Sequence, residues 1–152
     1  MGVGRSSVLG PKSWVLLAAI LVSIVAARTI GAQSAQKTVR DKVYSKDQAA
    51  RGEKQYAGLC ANCHDPAKPP PAGKKAGPPL VGEKFLTNWD GRTLGELLTT
   101  TATTMPNDGS AVLSDEDTAD VIAYLLQANG FPDGPAALKM GATSQDVVIV
   151  KK

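Results

Sequence analysis

Residues 60–64 read Cys60-Ala61-Asn62-Cys63-His64, and they hold both cysteines and the only histidine of a 152-residue chain. Gathering every thiol and the sole imidazole into five positions limits the chemistry. On one helical turn, side chains three apart project to the same side. Cys60 and Cys63 can then bond covalently to one flat partner, and His64 follows at once. Cys-x-x-Cys-His is the haem-attachment spacing: two thioethers to the vinyl groups, and an imidazole nitrogen for the iron from the proximal side.

Three other readings compete. A structural zinc site wants four Cys or His ligands, and this chain has three. A redox dithiol also uses Cys-x-x-Cys, but within a βαβ neighbourhood and after a strand. Here the motif ends a helix and no strand-rich half is visible. A plain disulfide would suit an exported chain. It would leave unexplained the histidine and an aromatic content of only 5 %, which is thin for an ordinary core. A cofactor in the middle answers both.

The flanking sequence predicts three helices. Ser45-Lys46-Asp47-Gln48 fits a capping box, and Ala49, Gly52, Tyr56, Leu59, Cys60 and Cys63 recur at helical spacing. Thr93-Leu94-Gly95-Glu96 opens a short second helix through Leu97 and Leu98. Ser114-Asp115-Glu116-Asp117 puts a cap and three acids at the positive end of a third. Val121, Ile122, Leu125 and Leu126 form its apolar face, and Asn129-Gly130 closes it. Between the first two lies DPAKPPPAGKKAGPPLVG, residues 65–82, too rich in Pro and Gly for regular structure. Two domains of about 60 residues on either side would each have a marginal core, so one domain is expected.

Residues 1–32 read as a signal peptide, with Arg5 and Lys12 ahead of the uncharged run Trp14–Ala27 and Ile30-Gly31-Ala32 as the cleavage site. At 14 residues the run is short of the roughly 20 that span a bilayer. An uncleaved anchor is the alternative. Without this segment the chain has 14 basic and 14 acidic residues, so nothing argues for nucleic-acid binding. The charges are segregated. Residues 33–92 carry 11 basic and 6 acidic side chains, and residues 93–138 carry 7 acidic and no basic ones. Lys68, Lys74, Lys75 and Lys84 are expected on the side of the attachment site, with the acids of 108–120 elsewhere.

Beyond the motif, ARGEKQYAGLCANCH, GPPLVG (77–82), NWDG (88–91), TTMPND (103–108) and LSDEDTADVIAYL (113–125) follow one another as they do in class I cytochromes c, the small soluble monohaem family. The chain resembles that family over residues 45–130. An N-terminal extension (33–44) and a C-terminal tail (131–152) lie outside the likeness. The resemblance implies an all-α fold, a few helices around one covalent haem c, with the first and last helices crossing.

The sixth iron ligand is expected at Met105. Pro106 pushes Met105 towards extended backbone, and the Thr-rich run 99–104, weak in helix preference, leads into it as a loop. The family puts its distal ligand at the M-P step, whereas Met140 lies in the tail. The resemblance also gives Pro78 a carbonyl that accepts from the imidazole N–H. It gives Trp89 an indole that bonds a haem propionate, plain packing being the other reading. Gly52 and Tyr56 would face Tyr124 and Leu125.

With His and Met on the iron no position is open for substrate. The expected function is one-electron transfer between exported redox proteins, without catalysis, by a monomer in the periplasm. A haem c subunit of a dehydrogenase or oxidase complex is the alternative, with 131–152 as a docking strap. A peroxidase or gas sensor would require Met105 to leave. Membrane contact arises only if the N-terminal segment is retained.

Overall fold

Ser45 opens the first helix by accepting the Gln48 amide on its hydroxyl at 3.3 Å. The computed structural model describes residues 35–151. Every helix named here belongs to one compact unit, Gln36–Lys152. The segment read as a signal peptide lies outside the described residues.

The helices are α1 Lys46–Gln55, α2 Ala61–His64, α3 Glu83–Trp89, α4 Leu94–Thr104, α5 Asp115–Ala128 and α6 Ala142–Gln145, with a π-helical turn, Tyr56–Cys60, between α1 and α2. Among the described residues there is no strand, and only three isolated bridges pair extended backbone. The fold is all-α.

α1 and α5 form the main helix pair, and a missing side chain sets their approach. A Cβ on Gly52 would lie 1.8 Å from the Asp120 carbonyl oxygen. Gly52 therefore opposes Asp120 and Val121, while Tyr56 meets Tyr124 with ring centroids 5.1 Å apart. Arg51 clamps Asp120 through two bonds of 2.7 and 2.8 Å. Bidentate pairing satisfies a carboxylate that is almost fully buried.

Sequence and structure part at four places. The first capping box is half made: the Gln48 side chain turns inwards and does not cap. The π turn winds an extra residue, rotating α2 by about 100° against a regular helix. Leu59, assigned to the apolar stripe of the first helix, lies in this turn and borders an apolar cleft. α3 has no capping side chain, so no local pattern announces it. Buried Asn129 holds it from α5, accepting the Gly82 amide at 2.9 Å and donating to Leu80 O at 3.0 Å.

The fourth difference is the Thr-rich run, which is helix and not loop. The capping box Thr93/Glu96 is complete, and the hydroxyls of Thr101, Thr103 and Thr104 bond back to the carbonyls of Leu97, Thr99 and Thr100. Those bonds satisfy the hydroxyls without making the run a good helix former; burial of Leu94, Leu97 and Leu98 against the core offsets the weak propensity. α4 then stops at Met105, which is extended (φ −124°, ψ 143°) as the following proline requires.

Residues 131–151 are built into the core and do not hang from it. Phe131, Leu138, Val147 and Ile149 are buried alongside Val39, Tyr44, Leu94 and Ile122. Val147–Lys151 lies between residues 37–40 and 90–94. The Leu94 amide donates to Val147 O, Gly91 to Ile149 O, Ile149 to Arg92 O, and Val39 to Val148 O.

Candidate haem c cleft

One largely apolar cleft is bounded by Leu59, Cys60, Cys63 and His64 from the π turn and α2, and by Pro78 and Leu80 from the following loop. Phe85 and Trp89 come from α3, Leu97, Thr101 and Met105 from α4 and its end, and Val121 and Leu125 from α5. Its empty volume is about 1020 Å³ with the open mouth included. Cys60, Cys63, His64, Pro78, Trp89 and Met105, all singled out in the sequence, border it together. Met140 does not; it borders a separate surface groove with Gln48, Arg51 and Lys139.

His64 is held in one orientation. Its Nδ1 lies 2.7 Å from the Pro78 carbonyl oxygen. A carbonyl only accepts, so Nδ1 is the donor, and in the neutral tautomer this leaves the lone pair on Nε2. Gly77 closes the arrangement beneath the ring: a Cβ there would lie 2.6 Å from Cε1 and 2.7 Å from Nδ1. The Gly77 amide donates to Cys63 O at 2.7 Å, turning the loop back on the motif. Sequence reasoning missed Gly77, although the glycine ahead of Pro78 was its signal.

Cys60 and Cys63 are free thiols. Burial pushes the Cys60 thiol up to about 11, with Cys63 adding to the effect. It is a neutral thiol at pH 7, the reverse of the acidified thiol that a redox dithiol needs. Among the described residues no three His, Cys, Asp or Glu side chains gather as metal ligands. Two thiols, an oriented imidazole and a thioether around one largely apolar space fit a haem c.

Trp89 packs against Phe85, with centroids 6.4 Å apart, and carries the Arg92 guanidinium 4.0 Å over its ring. The expected charge separation is incomplete. Asp108 stands at the cleft itself and pairs with Lys74 at 3.3 Å. Lys68 pairs with Asp65 at 3.8 Å. Lys75 has no ion-pair partner among the described residues and borders the mouth. The Asp108 carboxylate also closes a turn of its own, accepting the Ser110 amide.

A helical shell around one apolar cleft, with Cys-x-x-Cys-His on its wall, defines a cytochrome c domain, the class that carries electrons on haem c. Residues 47–125 match the family described as Cytochrome C oxidase, cbb3-type, subunit III, and the chain belongs to that family. No curated protein and no solved structure matches the chain at a significant level.

Proposed function

We propose that the protein is a one-electron carrier that binds a single haem c through Cys60 and Cys63, with His64 and Met105 as axial ligands. The observation that carries this reading is the cleft bordered by all four residues, with the imidazole oriented by Pro78 and packed on Gly77. Bound haem supplies a one-electron ferric/ferrous couple. The bond to Pro78 fixes the ring of His64 and its tautomer. The Met105 thioether favours the reduced state. Leu97, Val121 and Leu125 keep water from the buried side, and Trp89 is the candidate partner for a propionate.

Acid-acetone treatment tests the attachment: the colour should stay with the protein, and extraction of the haem would overturn the reading. Ligation is tested by the weak thioether-to-ferric charge-transfer band at the red end of the spectrum. It should vanish in Met105→Ala and persist in Met140→Ala, and the first variant should lose reduction potential. An unchanged band in Met105→Ala would remove Met105 from the iron.

The family description favours a second reading, a haem c subunit within an oxidase complex. No helix among the described residues is long and apolar enough to cross a membrane. Size-exclusion of a native extract, monitored by haem absorbance, separates the two. A free carrier elutes near its own mass of 15.8 kDa or below, and a subunit elutes with its complex.

A further inference from the structure

Two loops flank the mouth of the cleft, one following His64 and one following Met105. Among the described residues, a single polar contact joins segment 66–81 to segment 105–113: the ion pair of Lys74 with Asp108. Both partners are held in turns of their own. Asp108 Oδ1 accepts the Ser110 amide at 3.0 Å while Oδ2 faces Lys74. Behind it, Gly109 (φ 68°) donates to Pro106 O at 3.2 Å. On the other side, the Lys74 amide donates to Pro71 O at 2.9 Å, with Gly73 at φ 78°. Each glycine supplies a left-handed turn that a side chain would strain.

We propose that the Lys74–Asp108 pair is a strap across the mouth of the cleft, holding the Met105 loop to the His64 loop and slowing replacement of the Met105 thioether by outside ligands. The inference rests on the reading of Met105 as a ligand and goes beyond it, because it makes two residues outside the ligand set determine how firmly that ligand is kept. The geometry suits the role. The carboxylate is only 27 % exposed and the lysine 43 %, so the pair is less screened than one in open solvent. The Asp108 carboxyl is held down at about 2, first by its bonds to Ser110 and then by Lys74, so it is charged throughout the neutral range. The preformed turns reduce the ordering that the contact requires. Lys74 and Asp108 are positioning residues: they act on Met105 through its loop.

Imidazole added to the ferric holoprotein is the probe, its binding monitored by loss of the thioether band. Asp108→Asn keeps an oxygen for the Ser110 amide and so removes the strap without the turn. It and Lys74→Gln should each speed imidazole binding about two- to fivefold at low salt, the span of a partly exposed ion pair. The double variant should be no faster than either single one, because both remove the same contact. Lys74→Arg should retain the wild-type rate, and wild type should approach the variants at about 1 M salt. Hydrogen exchange at residues 107–111 should quicken in the same variants, with α5 unchanged. Wild-type rates in both single variants, or fully additive effects in the double, would overturn the strap. A wild-type protein lacking the thioether band would overturn the ligand reading and the strap together, so the two failures are distinct.

Discussion

Gln48 and Leu138 are joined twice across 90 positions of sequence: the Gln48 amide nitrogen donates to the Leu138 carbonyl at 2.9 Å, and its oxygen accepts the Leu138 amide at 2.7 Å. Both residues are buried. One side chain thus stands in for a strand partner and fixes the segment beyond Gly130 to α1. Gln48→Ala would leave two buried backbone groups unpaired. The expected loss is about 2–4 kcal/mol, read from guanidinium unfolding of the holoprotein, with the haem spectrum of the folded protein unchanged. A loss below about 0.5 kcal/mol, the level of an ordinary surface change, would refute the clamp.

Two glycines answer for different things. Gly52→Ala drives a methyl into the Asp120 carbonyl, prising α1 from α5 at a cost of about 3 kcal/mol, at a residue that does not itself border the cleft. Gly77→Ala drives a methyl into the His64 ring and should shift the visible spectrum and reduction potential with a smaller loss of stability. Comparing melting with potentiometry for the pair checks this, and the opposite pattern would count against both assignments.

The start of α5 predicts a pH dependence. The Asp117 carboxyl is held below the usual carboxylate range, first by the Ser114 hydroxyl bond and then by bonds from the Ser114 backbone and Gln55, while burial works in the other direction. A lowered folded pKa gives stability that is present above the unfolded value of about 4 and fades as pH falls through the folded one. The melting temperature of wild type should exceed that of Asp117→Asn at pH 6. The gap should close progressively below about pH 4. A gap independent of pH would assign the effect to packing.

Lys75 is the lysine at the mouth that is free of an ion-pair partner among the described residues. If positive charge steers docking of an acidic redox partner, Lys75→Glu should slow electron exchange severalfold at low ionic strength. Lys68→Glu, already balanced by Asp65, should slow it less. Exchange by the wild type should slow as salt rises. Stopped-flow mixing with the electron donor measures this, and a flat salt profile removes the steering.

What could be read from the sequence was local. The Thr93/Glu96 box, the Ser114 cap and the extended backbone ahead of Pro106 depend on neighbours within four residues, and they stand where the pattern puts them. Cys60, Cys63 and His64 stand out by their spacing and Met105 by resemblance to the family, and all four border one cleft. What was hidden depends on distant partners. α3 owes its start to Asn129 from α5, Gln48 leaves its own helix for Leu138, and Asp108 meets Lys74 across the mouth. The threonines of α4 show a related limit, since a propensity scale cannot see the burial of Leu94, Leu97 and Leu98 that holds the run as helix.

The position of Val147–Lys151 makes one short segment a fastening for two separate parts of the domain. On one side it pairs with Gly91, Arg92 and Leu94, and on the other with Val39. Through those bonds the α3–α4 corner, which carries Trp89, is tied to residues 37–40. A chain lacking residues 147 onwards would leave these backbone groups without their partners. Such a chain should still take up its guest, yet hold it in a looser, more readily proteolysed shell.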